Sequence, residues 1–403
     1  AASLLSRGQP VTPRPRLLVV ASTFPAGHDD GTPAFVRDLA LEVSGEFDTV
    51  VLVPRVPDGP RRERQGSMSV RRFRYFPHRW EDLADGAILE NLRSRRSRWI
   101  QVLPFVLAEA WALRRAVHDH RPDVIHLHWM IPQGIAALVV ARSVPWVVTT
   151  LGGDVYALRD PLSRRLKRAI LRRARAVTTM NEDMRRRLVD LGAPPGRTYV
   201  LPMGVDLAGV RSAAVAATRT PGRILFVGRL VEKKGLAVLL DALRLLPADR
   251  SWTLDVVGDG PLRPALEAAA RGLAVRFLGQ QGREQLYGLY AEVEVVAVPS
   301  VPAASGDQDG LPLVLLEAMG AGAAIVGSDL PGINEAVIDG VSGVLVPHSD
   351  PAALADALGR VLGDENMRQR LGEQARTAAD HFSLTNVGAR YRDVLREAIA
   401  IVG

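Results

Sequence analysis

The sequence predicts an α/β protein of two facing, doubly wound parallel-sheet domains with a central cleft between them. Two observations carry this. Short β-rich runs alternate with helical patterns along most of the chain, and several runs are near-continuously apolar, as in strands covered on both faces. The alternation also forms two successive series, and 403 residues suit two domains. The first series is RLLVVAS (16–22), DTVVLVPR (48–55), SVRRFRYF (69–76), DVIHLHW (123–129), WVVTTLG (146–152), AVTTMN (176–181) and TYVLPMG (198–204). The second is RILFVGR (223–229), WTLDVVGDG (252–260), AVRFLGQ (274–280), VEVVAVPS (293–300), AAIVGSD (323–329) and SGVLVP (342–347). Helical stretches between them imply right-handed crossovers. The small, weakly patterned segment 205–223 is the expected divide. The expected organisation is a disordered lead-in over 1–15, a first domain over 16–205, a second over 206–382 and an amphipathic last helix over 383–403.

Composition narrows the class. Apolar residues make up 47% and charged residues 24%, as in an ordinary globular protein. No apolar run reaches 18 residues, so no membrane-spanning helix is expected. The first residues lack a compact apolar segment followed by a cleavage site, so no signal peptide is expected. The absence of cysteine excludes disulfides and cysteine-ligated zinc. The expected setting is cytoplasmic, with peripheral contact at the inner face of the plasma membrane.

Charge is uneven. Residues 1–200 hold 32 Lys+Arg and 20 Asp+Glu, a balance of +12, and the remainder hold 19 and 24, a balance of −5. A basic half fits an anionic ligand, an anionic membrane or an arginine-rich solvated surface. Aromatics total only 5%, which argues against a nucleic-acid stacking platform. The basic stretches are 61–80, 93–98 and 164–175. Within LSRRLKRAILRRARAV, Leu162, Leu166, Ile170 and Leu171 share one face. That pattern fits either an interfacial helix or a surface helix packed on a sheet.

Ligands of open α/β sheets bind at the carboxyl ends of the strands. Those ends carry His128, the LGGD turn (151–154) and the second-domain turns VGRL and GDGP. In VGRLVEKKG, Gly228 lets the backbone approach a ligand. Arg229 and Lys234 either grip a diphosphate or form a solvated surface pair. The GDGP turn contains Gly260, but the chain has neither a G-x-G-x-x-G fingerprint nor a Walker A motif.

In DQDGLPLVLLEAMGAG (307–322), Pro312 suits a first helical position. The amides of Leu313 and Val314 at the helix start favour an anion. Asp309 lies in the preceding loop and Glu317 about five residues into the helix, roughly 7–8 Å along its axis. Glu317 can reach a ribose diol and Asp309 a hydroxyl-rich sugar. The alternative is a capped helix with an acidic loop. The DQD triplet could also be a metal-binding D-x-D pair, although that motif belongs at a strand end and this one sits in a loop before a helix start.

Taken in order, these segments resemble the retaining glycosyltransferases of family 4, with the GT-B fold of two facing Rossmann-like domains. The resemblance spans about residues 16–400. It rests on VGRLVEKKG, VVGDGPLR, the run from VPS through DGLPLVLLEAMGAG to SGVLVP, and FP…GTPAFVRDLA, HLHWMIPQG, LGGDVY and PMGVD. It implies a UDP-sugar or GDP-sugar donor, no metal, and a saccharide, lipid-linked or small-molecule acceptor on the first domain. It implies that Arg229 and Lys234 hold the diphosphate. Glu317 would bind the ribose and Asp309 the donor sugar, at the ends of the family's E-x7-E motif. Gly31 would let backbone approach the donor, and the last helix would cross back to the first domain. The chain departs from the family in two places. Asp309 replaces a glutamate, and Leu151 replaces the histidine beside the donor sugar, which implies either a different sugar pocket or a site that leans on His128 or Asp154 instead. The alternatives within this fold are an epimerase, a phosphorylase or a pseudo-transferase that binds a nucleotide sugar.

Overall fold

A computed structural model describes residues 13–27, 32–56, 59–84, 88–215, 217–247 and 251–400; the side chains of 89, 90 and 93 are not described. Most of the lead-in and Gly31 therefore lie outside the described residues.

Among these residues two sheets form. The first contains β1 (Arg16–Val20), β2 (Asp48–Pro54), β3 (Arg62–Gln65), β4 (Met68–Phe73), β5 (Val124–His128), β6 (Trp146–Thr149), β7 (Ala176–Thr179) and β8 (Thr198–Val200). Their spatial order is β3-β4-β2-β1-β5-β6-β7-β8. The second contains β9 (Thr220–Val227), β10 (Thr253–Val257), β11 (Val275–Gly279), β12 (Val293–Val298), β13 (Ala324–Ser328) and β14 (Val344–Val346), in the order β11-β10-β9-β12-β13-β14. Every pairing is parallel except β3 with β4.

The apolar runs read from the sequence all become strands. The exception in the other direction is β3, which the sequence did not announce. Its residues are Arg62, Glu63, Arg64 and Gln65. A charged strand at a sheet edge needs no apolar run, because one side of it meets solvent.

Each sheet is covered on both faces. One apolar cluster, with Phe105, Leu113, Trp146 and Ile170, lies under the outer helices of the first sheet. Another, with Leu239, Leu240, Leu358 and Val361, lies under those of the second. A third joins the two halves through Leu17, Leu225, Leu316 and Tyr391. The expected divide at 205–223 carries a helix, Leu207–Val215, which packs on the helices Arg283–Glu292 and Leu313–Gly320. The last helix, Leu384–Ala400, lies against the helix Phe35–Val43 and against β5 and β6. Tyr391 donates to the Leu201 carbonyl at 3.0 Å, and Arg392 pairs with Glu42 at 3.1 Å and Glu46 at 2.9 Å.

The helix Pro161–Arg173 buries Ile170 and Leu171 completely and leaves Leu162 exposed. Its apolar side therefore serves the core. Lys167 is also turned inward, donating to the Ala157 carbonyl at 2.7 Å. Leu162 and Arg164, Arg165, Arg168 and Arg172 stay exposed on the other side.

Candidate active site

The second-domain half begins where β9 ends. Gly228 is packed so closely that an added Cβ would lie 3.3 Å from the Lys234 side chain. A short 3-10 turn, Glu232–Lys234, follows. Gly235 closes it at φ 69°, and its missing Cβ would lie 1.7 Å from the Pro299 carbonyl oxygen. The Val301 amide donates to the Lys233 carbonyl at 2.9 Å and the Ala304 amide to Glu232 at 2.9 Å. The cationic loop is thus fixed against the loop that follows β12. Gly260 is fixed in the same manner, its absent Cβ 2.6 Å from the Leu230 carbonyl oxygen.

Loop 299–312 brings its acids to those cations. Lys234 Nζ meets Asp309 Oδ2 at 2.6 Å. Lys233 Nζ lies 3.4 Å from Asp309 Oδ1 and 3.3 Å from Asp307 Oδ2. Burial raises the Asp309 pKa, but Lys234 and Lys233 outweigh it and hold the group at about 2. Lys233 is the participant that the sequence reading missed. Its position beside Lys234 was the available signal, but a turn of unknown geometry could have pointed it elsewhere.

The helix Leu313–Gly320 starts beside this cluster. Pro312 is its N-cap, one position earlier than the sequence suggested, and no side chain caps the helix. Prolyl φ is −67° but ψ is 121°, so the proline ends the loop and does not open the first turn. Leu313 and Val314 form the first turn and are partly buried.

Glu317, further along, faces a different set of groups. Tyr290 donates to Glu317 Oε2 at 3.0 Å. Burial pushes Glu317 up to about 7; Tyr290 and Arg283 oppose this, while Asp38 and Asp206 add to it. Arg283 pairs with Asp38, which stands on the first-domain helix Phe35–Val43. Asp38, Asp206 and Arg283 also line a cavity of about 330 Å³. Tyr290, Arg283, Asp206 and Asp38 were not singled out in the sequence, although Asp38 and Asp206 lie within GTPAFVRDLA and PMGVD, because they come from three separate segments.

The first domain meets this half directly. Asn181 Nδ2 donates to the Gly310 carbonyl at 2.6 Å. A Cβ on Gly310 would lie 2.8 Å from Met180 and 2.9 Å from the Leu151 carbonyl oxygen. The turn containing Leu151 is therefore placed against the Asp309 loop.

Asp154 and His128 lie deeper. Asp154 accepts from the amides of Leu151 at 3.1 Å, Gly152 at 3.2 Å and Met130 at 3.2 Å. Burial raises its pKa, against the pull of those amides and of Lys167. Its carboxylate shapes the turn. His128 is 1% exposed and stacks on His126, with ring centroids 4.2 Å apart. Burial, with His126 adding, keeps its pKa well below the usual histidine value, so it is neutral. Among the described residues, no group of three or more His, Cys, Asp or Glu is arranged to hold a metal.

The same two halves appear in comparisons with known proteins. The description "Glycosyl transferase 4-like domain" matches residues 30–204, and "Glycosyl transferases group 1" matches residues 221–364. The D-inositol 3-phosphate glycosyltransferase of Frankia alni is 35% identical over 329 residues, covering 72% of this chain and 79% of the relative. The chain belongs to the family 4 glycosyltransferases.

This transferase is also similar to the amylovoran biosynthesis glycosyltransferase AmsK of Erwinia amylovora, 35% identical over 43% of this chain and 44% of that one. It spans about half the length of the colanic acid and amylovoran relatives it matches. Its fold is the GT-B fold. The sucrose-phosphate synthase of Thermosynechococcus elongatus superposes with a TM-score of 0.77 at 21% identity, covering 96% of this chain and 100% of that one. Anabaena HepE in complex with UDP-glucose superposes with a TM-score of 0.68 at 18% identity, covering 94% and 99%.

Proposed function

We propose that this glycosyltransferase moves a sugar from a UDP- or GDP-linked donor to a hydroxyl of a saccharide, lipid-linked or small-molecule acceptor, with retention at the anomeric carbon. The observation that supports this reading best is the 2.6 Å contact of Lys234 with Asp309. It joins the cationic VEKKG loop to the loop that leads into the helix Leu313–Gly320, and on this reading the donor lies between the cations and the helix amides. That is a pyrophosphate's chemistry: cations supply charge, and uncapped amides supply donors. HepE binds UDP-glucose, which agrees with such a donor.

In this reading Arg229 and Lys234 hold the diphosphate, with Lys233 keeping Asp309 ionised beside them. Asp309 receives hydroxyls of the donor sugar, and Glu317 receives the ribose diol. Gly228 and Gly260 let backbone approach the donor, as Gly31 would from the first domain. The bond between the anomeric carbon and the diphosphate oxygen breaks as the acceptor oxygen bonds to the same face. The acceptor proton passes to the departing diphosphate, and a nucleoside diphosphate leaves. Catalysis is then positioning plus stabilisation of leaving-group charge, with no metal required.

The test is a nucleotide-sugar panel with released nucleoside diphosphate as the readout. With the best donor, Arg229→Ala and Lys234→Ala should each lose about 10²–10³ in kcat/KM. Wild-type turnover in both variants defeats the proposal. Leu151, set against Gly310, favours one second reading: a pseudo-transferase that binds the donor without transferring it. Stabilisation by UDP or GDP with no turnover of any donor would select that reading.

A further inference from the structure

The helix Val102–His120 carries apolar residues on both sides, with the buried Glu109 among those of the inner side. Its inner side buries Phe105, Ala112, Leu113 and Ala116 over the first sheet. Its outer side and the 3-10 turn leading into it present Trp99, Ile100, Leu103, Leu107 and Trp111, each between 60% and 67% exposed. Positions 99, 103, 107 and 111 recur every four residues, so they form one stripe. From Leu103 to Trp111 it runs about 12 Å along the helix axis. Scattered exposed apolar residues are ordinary; a continuous stripe with a tryptophan at each end is not. Trp80, also exposed, lies beside the same turn, because Asp82 binds both Arg98 at 2.9 Å and Gln101 at 2.8 Å.

The rim of the stripe is cationic. Arg95 and Arg96 precede it, and Arg114 and Arg115 follow it, all exposed. The Arg79 guanidinium lies 4.2 Å from the Trp80 ring centroid. Two nearby acids are already engaged: Asp119 with Arg71 at 3.6 Å and Arg115 at 3.7 Å, and Asp82 with Arg98. This helix packs on the helix Gln133–Val140, which packs on Pro161–Arg173. That layer adds exposed Val139 and Leu162, with Arg164, Arg165, Arg168 and Arg172 around them.

We infer that this outer layer docks on the surface of an anionic bilayer, with the Trp99–Trp111 stripe entering the headgroup region. Tryptophan prefers that depth, and arginines beside a shallow apolar insertion gain from anionic lipid. Exposed apolar and guanidinium side chains belong to one layer of packed helices here, which suits a bilayer surface. The lipid-facing element is therefore Val102–His120 and its leading turn, and the arginine-rich helix Pro161–Arg173 supplies charge. The docking does not depend on the transfer reaction, so vesicle binding can be read without turnover.

The experiment is vesicle flotation of the full chain. Wild-type protein should float with phosphatidylcholine vesicles containing phosphatidylglycerol, and not with phosphatidylcholine alone. Binding should weaken at about 0.5 M salt, where charges are screened within a few ångströms. The variant W99S/L103S/L107S/W111S should partition at least tenfold less with an unchanged melting temperature, since none of its positions is in the core. Brominated lipid should quench wild-type tryptophan fluorescence and fail to quench W99F/W111F to the same extent. Failure of the wild type to float, or equal flotation of the serine variant, overturns the inference. So does self-association by sedimentation that the serine variant abolishes, which would make the face a contact between copies of the chain.

Discussion

Asp309 and Glu317 lie eight positions apart, yet their environments move them in opposite directions. Two lysines hold Asp309 at about 2 against burial, whereas burial lifts Glu317 to about 7 with only Arg283 and Tyr290 opposing it. For Glu317 the folded pKa stands above the ordinary value of 4.5. The folded state therefore holds the proton more tightly. Its stabilising contribution is complete below about pH 4.5 and is lost as pH rises through about 7. The span corresponds to about 3–4 kcal/mol by linkage. Glu317→Gln should flatten the fall in melting temperature between pH 5 and pH 8. Parallel melting curves for variant and wild type would show that the carboxyl carries no such proton. The same group should govern donor binding with the reverse sign. A ribose diol donates to the ionised carboxylate, so donor KM should rise as pH falls below about 7 in the wild type. In Glu317→Gln it should be higher throughout and independent of pH in that window.

At the scale of elements, the cationic loop depends on one backbone position. Gly235 closes the turn in the left-handed region and lies so near Pro299 that a Cβ cannot be placed there. Gly235→Ala should cost about 2–4 kcal/mol, by backbone strain and displacement of the loop after β12. Denaturant unfolding measures this, and a loss below about 1 kcal/mol would mean the turn relaxes freely. The glycine was visible in VGRLVEKKG, but its reason was not, since Pro299 lies far along the sequence. The same distinction runs through the fold. Buried parallel strands such as LLVV (17–20) and VEVVAV (293–298) were legible, because burial on both faces demands apolar runs. The charged edge strand Arg62–Gln65 was not, because its pairing is made by backbone and leaves no apolar signature. Likewise, the placement of Asp309 in the loop before a helix and of Glu317 within that helix was legible from spacing around a helix start. The Arg283–Asp38 and Tyr290–Glu317 contacts join residues distant in sequence, and no local pattern encodes them. The apolar face of LSRRLKRAILRRARAV was legible, and the core takes Ile170 and Leu171 from it, while the exposed stripe on Val102–His120 is masked in sequence by the apolar residues of its inner side.

Across the whole molecule, polar contacts beside the candidate site add to the apolar cluster that joins the two halves. Asn181 holds the Gly310 carbonyl, the Glu182 amide donates to Glu335 at 3.0 Å, and Arg283 pairs with Asp38. At Gly310 the only room for a side chain is taken by Met180 and the Leu151 carbonyl of the other domain. Gly310→Ala therefore disturbs approach of the domains while leaving each sheet and both apolar outer layers untouched. If both halves must meet around the donor for transfer, this variant should bind a nucleoside diphosphate within about threefold of wild type, because the lysine loop and helix start belong to the second domain. Its kcat should fall by about 10–10²-fold, the cost of misplacing reacting groups by roughly an ångström. Calorimetry with UDP or GDP and steady-state turnover separate the two effects. Equal losses in nucleotide affinity and kcat/KM would place the damage inside the second domain. An unchanged kcat would mean that the seam between Leu151 and Gly310 is not closed during transfer.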